Sequence, residues 1–261
     1  MKYLKSFCFV RQEQEFNFFM GIRRTCYDSY YPFQVLSRIG FARIDFEPVT
    51  ILYGGNGTGK STALNVIAEK LNLKRDAPYN RSNFFEDYAD LCEYETCSVI
   101  PKESRIITSD DVFDYMLDMR ALNEGIDRKR EEVFEEYLDA KYSKFRFRSM
   151  EDYDRLKQVN LARRKTQSKY VRENALYLLD EPENSLSAER QRELSRFIED
   201  SARFFGCQFV ISTHSPFMLS MKGAKIYDLD ENPVDVKRWT ELGNVREYFS
   251  FFKEHEKEFE K

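Results

Sequence analysis

The residues best suited to chemistry are a glycine-rich run that leads into a lysine and a serine. Residues 54–61 read Gly-Gly-Asn-Gly-Thr-Gly-Lys-Ser, and a threonine follows. The glycines let the backbone turn its N–H groups inward at the start of a helix, where the helix dipole favours an anion. In such a loop the lysine reaches the β- and γ-phosphates, and the serine hydroxyl ligates Mg²⁺. The sequence predicts a phosphate-binding loop made of Gly54, Gly55, Asn56, Gly57, Thr58, Gly59, Lys60, Ser61 and Thr62.

Two adjacent carboxylates, Asp180 and Glu181, follow the apolar run "ALYLL" at 175–179. Such a run is typical of a strand that is buried on both faces of a parallel sheet. Because α/β sheets bind ligands at the carboxyl ends of their strands, Asp180 is placed to hold Mg²⁺ and Glu181 to polarise an attacking water. The alternative interpretation is that the pair only begins the next helix.

One of the two histidines, His214, follows a second apolar run, "CQFVIST". An imidazole at this strand end is placed to contact a γ-phosphate and to sense its loss. A purely structural role for His214 remains open from the residues alone. The other histidine, His255, lies in a charged terminal helix and is interpreted as a surface residue.

Apolar runs alternate with amphipathic helical patterns along both ends of the chain. The runs at 41–53, 175–179 and 207–213 are each followed by glycines or polar turn residues, and helices are predicted to begin at Ser61 and Ser187. This alternation predicts an α/β fold with a layered, parallel sheet, and the glycine motif makes it a P-loop NTPase core. It also supplies the order of strand, loop and helix that the glycine motif requires.

The middle of the chain differs from its two ends in composition and hydrophobic pattern. From about residue 75 to 174, charged helical patterns such as "DRKREEVFEEYLDAKYSKF" dominate. We therefore predict an ATP-binding core formed by 1–74 and 175–261, with an α-helical lobe inserted at 75–174. Residues 141–172 hold eleven Lys or Arg against three acidic residues, interleaved with aromatics. This segment is a candidate surface for DNA or RNA, or else a solvated helix face or a partner interface.

The bulk composition limits the classes of function. The net charge is only −4, so a basic binding surface must be local. The five cysteines are odd in number and scattered, which favours a reducing compartment. No apolar stretch reaches the roughly 18 residues of a membrane span. A cytoplasmic protein without a membrane partner is expected.

The motifs "GGNGTGKST", "LYLLDEPENSLS" and "ISTHSP", in this order, resemble the Walker A, Walker B, D-loop and switch-histidine motifs of ABC-type ATPases. With its charged lobe between the two Walker motifs, the chain resembles the SMC and RecF class. It is most similar to small stand-alone bacterial AAA family ATPases, whose relatives include the ATPases of Septu and retron anti-phage defence modules.

The resemblance implies roles for single residues. Lys60 would bind phosphate, Ser61 and Asp180 would position Mg²⁺, Glu181 would activate water, and His214 would sense the γ-phosphate. It also implies ATP hydrolysis to ADP and phosphate, possibly dependent on a partner. The chain would form a homodimer or higher assembly through the ATP site and act with a separate effector such as a nuclease.

One departure from the family pattern bears on activity. ABC-type heads carry a Ser-Gly-Gly signature about one helix before Walker B, whereas "QVNLARRKTQSKYVREN" contains no glycine. The signature has diverged, is supplied by another protein, or belongs to a segment that this chain lacks. The first function expected is an ATPase that drives a defence or DNA-maintenance complex. The alternative is a nucleotide-gated assembly module with little or no hydrolysis of its own.

Overall fold

The structure is a computed structural model, and it describes residues 2–23, 26–27, 29–108, 174–184 and 186–259. These residues belong to one compact unit. The basic segment 141–172 lies outside them. Counted over the described residues, the strands are β1 Leu4–Cys8, β2 Arg43–Asp45, β3 Val49–Tyr53, β4 Lys74–Arg75, β5 Glu93–Thr96, β6 Arg105–Thr108, β7 Leu176–Asp180, β8 Gln208–Ser212, β9 Lys225–Asp228 and β10 Asp235–Lys237. The helices are α1 Gln12–Gly21, α2 Lys60–Lys70, α3 Phe85–Leu91, α4 Ala188–Phe204, α5 Pro216–Leu219, α6 Gly243–Glu254 and α7 Glu256–Phe259.

A seven-stranded sheet forms the centre of the described unit, in the order β10-β9-β3-β8-β7-β6-β4. All neighbouring strands in it are parallel except β10, which runs antiparallel to β9. The residues of β3 and β8 are buried throughout, as expected for strands covered on both faces. The predicted α/β fold with a layered parallel sheet is confirmed.

The register of this sheet decides which side chains meet. Strand β8 lies between β3 and β7, so Ser212 pairs with Leu52 on one side and with Asp180 on the other. Asp180 in turn pairs with Thr108 of β6. The carboxyl ends of these strands therefore lie side by side at one edge of the sheet, next to the phosphate-binding loop that follows β3.

A second, smaller sheet is antiparallel, in the order β2-β1-β5. The predicted run at 41–53 is therefore two strands in two sheets, β2 beside β1 and β3 in the central sheet. Pro48 stands between them and has no backbone N–H, so it cannot donate to a continuous ladder. The single strand expected from the sequence is corrected in this respect.

Residues 75–108 contribute to both sheets. Strands β4 and β6 belong to the central sheet, and β5 belongs to the smaller one. Ile106 and Ile107 of β6 are buried, which accounts for its place beside β7. The sequence pattern assigned this stretch to the inserted lobe; we now propose that the lobe begins after Thr108.

Two helices flank the site. Helix α2 leaves the phosphate-binding loop and packs against β6, β7 and β8. Helix α4 begins as predicted at Ser187, whose Oγ accepts a hydrogen bond from the backbone N–H of Arg190. Its buried stripe includes Leu194 and Ile198. Within the described residues, no helix has both the length and the apolar character needed to cross a membrane.

Candidate active site

The glycine-rich loop runs from the end of β3 to the start of α2. Gly57 has φ +82° and Gly59 has φ +97°, both in the left-handed region that glycine adopts without strain. A Cβ at Gly59 would lie 2.9 Å from Cδ2 of Leu36. Both positions favour glycine because of their positive φ, and Gly59 also has no room for a side chain because it packs against residues 35–36.

The loop borders a cavity of about 300 Å³. We call this cavity the cradle; it is lined by Tyr31, Val35, Asn56, Gly57, Gly59, Lys60, Ser61, Thr62 and Glu181. Backbone N–H groups at a helix start make such a concavity suitable for phosphate. The structure thus brings the predicted loop residues 56–57 and 59–62 together with Glu181, which lies far away in the sequence.

Lys60 is almost fully buried, with 4% of its surface exposed. Its Nζ donates hydrogen bonds of 2.8 Å to the carbonyl oxygens of Gly54 and Gly55. The same Nζ lies 3.5 Å from Oε1 of Glu181. The loop carbonyls therefore hold the positive charge of Lys60 beside the cradle, close to the acid predicted to activate water.

Asp180 lies behind the cradle and accepts two hydroxyl hydrogen bonds on Oδ1. One comes from Oγ of Ser61 at 2.9 Å, and the other from Oγ of Ser212. Burial raises the pKa of Asp180 above its ordinary value, and the two hydroxyls act in the opposite direction. Among the described residues no ion pair involves Asp180. A hydroxyl beside a desolvated, unpaired carboxylate is the hard-oxygen donor set that suits Mg²⁺, so these residues fit the ion.

Glu181 is held in an uncommon backbone conformation, with φ +46°. Its N–H donates to both the carbonyl oxygen and Oγ of Ser212, each at 3.0 Å. Its Oε2 accepts a hydrogen bond of 3.0 Å from Nδ2 of Asn184. A non-glycine residue with positive φ is strained unless its surroundings fix it. Here the surroundings fix Glu181 where its carboxylate lines the cradle.

His214 lines a different, larger cavity of about 640 Å³, together with Gly54, Gly55 and Asn56. Asn56 borders both this cavity and the cradle. The imidazole is 43% exposed, and its Nδ1 lies 3.4 Å from Oε1 of Glu183. The structure therefore places His214 across from the first half of the loop, beside the cradle and outside its lining.

Three further residues at the site were missed by reasoning from the sequence. Ser212, inside the predicted strand, links Asp180 to the backbone of Glu181. Asp230 accepts a hydrogen bond of 2.8 Å on Oδ1 from the N–H of Gly55. The hydroxyl of Tyr31 is hydrogen-bonded to Oγ1 of Thr62 at 3.1 Å. The position of Ser212 at a strand end was a usable signal, whereas nothing in the sequence marked the other two.

Comparison with known families finds the AAA ATPase domain over residues 155–219. This is about a quarter of the chain, and it includes Asp180, Glu181 and His214 but not the glycine-rich loop. The chain thus combines a phosphate-binding loop with a separate stretch that matches an ATPase domain. Together these findings support an ATP-binding ATPase.

The solved structures that are similar to this chain include the two that follow, both at low identity. The SMC head domain from Thermotoga maritima is 12% identical, with 90% of this chain and 98% of that chain covered and a TM-score of 0.41. A nucleotide-free ATP-binding cassette from an ABC transporter is 13% identical, with 80% and 87% covered and a TM-score of 0.34. No curated protein matches the chain. Similarity at this level does not bear on the activity of the chain.

Proposed function

We propose that this protein binds ATP with Mg²⁺ and hydrolyses it to ADP and phosphate. The observation that carries the proposal is the hydrogen bond between Ser61 and Asp180, because it joins the loop to the end of β7. Lys60 and Glu181 lie at the same cradle. A phosphate-binding cation, an oxygen donor set for Mg²⁺ and a candidate general base therefore converge on one cavity.

Each residue has a distinct role in this proposal. The loop N–H groups and Lys60 would bind the β- and γ-phosphates. Ser61 and Asp180 would hold Mg²⁺, which when bound neutralises charge on the phosphate oxygens. Glu181 would accept a proton from the attacking water, and its fixed backbone would keep its carboxylate aimed at that water. His214 would contact the γ-phosphate from the adjoining cavity.

The assembly that the site serves is also a proposal. The SMC- and RecF-like motif order supports ATP-dependent pairing of two copies through their ATP sites. We propose a cytoplasmic complex in bacterial defence or DNA maintenance, whose effector, such as a nuclease, is a separate protein. The sequence offers no nuclease motif of its own, which is why the effector is assigned elsewhere.

A second candidate function is a nucleotide-gated assembly module with little or no hydrolysis. It is favoured by the absence of glycine from "QVNLARRKTQSKYVREN", where a signature motif would be expected. Nearly all of that segment lies outside the described residues. The placement of Glu181 at the cradle weighs against this candidate, because a module without hydrolysis needs no general base.

The mass of the Glu181→Gln variant in solution separates these proposals. This change keeps the shape of the side chain and removes the base, so bound ATP should persist and trap the assembled state. We expect the variant to double its mass, or more, with ATP and Mg²⁺, while the double variant with Lys60→Ala stays at the mass of one chain. If Glu181→Gln keeps the monomer mass at saturating ATP, pairing through the ATP site is wrong. If the wild type also stays assembled in ATP for hours, the non-hydrolysing module is the better description.

A further inference from the structure

We propose that Glu183 is a positioning residue that fixes the tautomer and orientation of His214. The inference rests on the proposed function only in its consequence for hydrolysis, since the contact itself is a property of the folded chain. Glu183 follows Glu181 by two residues in "DEPEN" and was given no role by its position in the sequence. The structure assigns it one through its contacts with the turn that carries His214.

The carboxylate of Glu183 holds this turn at three points. Its Oε1 accepts a hydrogen bond of 2.6 Å from Oγ1 of Thr213, and one of 2.9 Å from the N–H of His214. A longer bond of 3.3 Å comes from the N–H of Ser215. The side chain is 3% exposed, so these bonds form away from solvent. Backbone and side chain of the turn are therefore locked to one carboxylate oxygen.

The second oxygen of Glu183 has unused capacity. Oε2 is buried, and no hydrogen-bond donor reaches it in the described part of the chain. A carboxylate has about four acceptor positions, and leaving part of a buried one unused is costly. The imidazole Nδ1 of His214 lies 3.4 Å from Oε1. A small rotation of this ring would bring Nδ1–H within hydrogen-bond distance of the carboxylate at Oε1.

The carboxylate selects one form of the imidazole. Because a carboxylate only accepts hydrogen bonds, it favours the ring that carries a proton on Nδ1. The lone pair of Nε2 then lies on the opposite edge of the ring, free to accept a proton. The protonated ring would donate that proton in a hydrogen bond to an anionic phosphate oxygen, stabilised from behind by Glu183.

Three hydrogen bonds of Gln191 hold the pair in place. Oε1 of Gln191, in the first turn of α4, accepts a hydrogen bond of 2.7 Å from Oγ of Ser215. Its Nε2 donates to the carbonyl oxygen of Glu183 at 3.3 Å and to that of Leu186 at 2.9 Å. These bonds connect the segment that follows Glu181 to the turn that carries His214. Glu183 acts on His214 from a fixed place.

The tautomer of His214 tests this inference without any ATP hydrolysis. The chain has only two histidines, so in the untagged, ¹⁵N-labelled His255→Gln variant every imidazole signal belongs to His214. Long-range ¹H–¹⁵N spectra are recorded without nucleotide at about pH 8.5, where an ordinary imidazole is neutral. We expect the proton on Nδ1. A proton on Nε2, the tautomer that free imidazole side chains prefer, would overturn the inference.

The Glu183→Gln variant tests the effect of the charge. The amide oxygen can keep the three hydrogen bonds to the turn, while the negative charge is lost. We expect a smaller Nδ1–H population at His214 and, in the wild-type background, a kcat for ATP lowered about 10- to 100-fold with little change in KM. The control is Glu189→Gln, an exposed glutamate on α4. An unchanged tautomer together with an unchanged kcat in Glu183→Gln would reduce Glu183 to a brace for the turn.

The tautomer of His214 and the rate of ATP hydrolysis test different claims, so one claim can be wrong while the other stands. If no form of the chain hydrolyses ATP but His214 carries its proton on Nδ1, the contact stands and the proposed function falls. If the wild type hydrolyses ATP while His214 carries its proton on Nε2, the proposed function stands and the role of Glu183 is wrong.

Discussion

Oγ of Ser61 donates a hydrogen bond of 2.9 Å to Oδ1 of Asp180, across 119 residues of sequence. Ser61 lies in α2, which follows β3, and Asp180 ends β7. Strand β8 lies between β3 and β7 in the sheet. Ser212, at the end of β8, donates to the same oxygen of Asp180. The site is therefore assembled across three neighbouring strand ends.

Replacing Lys60 by alanine should abolish ATP binding at ordinary nucleotide concentrations. Lys60 is a buried cation beside the cradle, and removing one partner of a buried charge pair costs about 2–5 kcal/mol. That corresponds to a Kd raised by roughly 30-fold or more, which titration with a fluorescent ATP analogue would measure. Lys70→Ala is the matched control, because Lys70 lies in the last turn of the same helix and is only partly buried. Equal ATP affinities for Lys60→Ala and wild type would contradict the proposal that this loop binds ATP.

Replacing Asp180 by asparagine should stabilise the nucleotide-free fold at neutral pH while it abolishes Mg²⁺-dependent hydrolysis. Burial raises the folded-state pKa of Asp180, so the native state holds this proton more tightly than the unfolded chain does. Stability is then lost as pH rises through the window between the unfolded and folded pKa values. The asparagine variant has no such loss, and its amide oxygen can still accept from both serines.

This expectation is measured as Tm across the pH range from about 4 to 7 in EDTA without nucleotide, a range that starts near the ordinary pKa of aspartate. The Tm of Asp180→Asn minus that of the wild type should increase with pH across the range. Asp235→Asn, an exposed aspartate of β10, is the control and should give a flat difference. A difference that shrinks as pH rises would show that the carboxylate stabilises the fold by its charge.

Replacing Asp230 by alanine should weaken nucleotide binding without unfolding the chain. Its Oδ1 accepts the N–H of Gly55 at 2.8 Å and so holds the first half of the loop. The loss of one such exposed bond is worth about 1 kcal/mol, or about a fivefold increase in Kd for ATP. Asp235→Ala is the control for a change of charge in this region. An unaltered Kd would mean that the loop keeps its shape without this bond.

The basic segment 141–172 is tested by its salt dependence. If it binds DNA or RNA, retention on nucleic acid should fall steeply with rising salt, since each phosphate contact releases counterions. Charge reversal at Arg163, Arg164 and Lys165 should weaken retention. Reversal of three exposed basic residues of the described unit, Lys102, Arg192 and Arg196, should not. Retention that changes neither with salt nor with charge reversal at Arg163, Arg164 and Lys165 would favour the interpretation of the segment as a solvated helix face.

Local patterns predicted the parts of the site that lie next to sequence motifs. The approach of Ser61 to Asp180 follows from two rules: apolar runs form parallel strands, and parallel strands end at one edge. Ser187 was predicted as a helix cap from its type and place, and it is one. These predictions succeed because the residue types within a short stretch of sequence indicate a buried strand or a helix cap.

Contacts set by the packing of distant segments were not predictable in this way. Asp230 meets Gly55 only because β9 pairs with β3, and no residue type announces that pairing. The sequence pattern assigned Arg105–Thr108 to the inserted lobe, because a four-residue strand between charged segments gives a weak period. Nothing in the sequence distinguishes Glu183 from a surface acid, because its role depends on its contacts with the turn at His214.

The steady-state rate of ATP hydrolysis by the purified chain, measured over a series of protein concentrations, tests the central claim most directly. The Glu181→Gln variant, prepared identically, is the blank. We predict a Mg²⁺-dependent rate above this blank that rises more steeply than protein concentration, because two copies complete the active assembly. A rate equal to the Glu181→Gln blank at every concentration would contradict the proposal that this chain is an ATPase by itself.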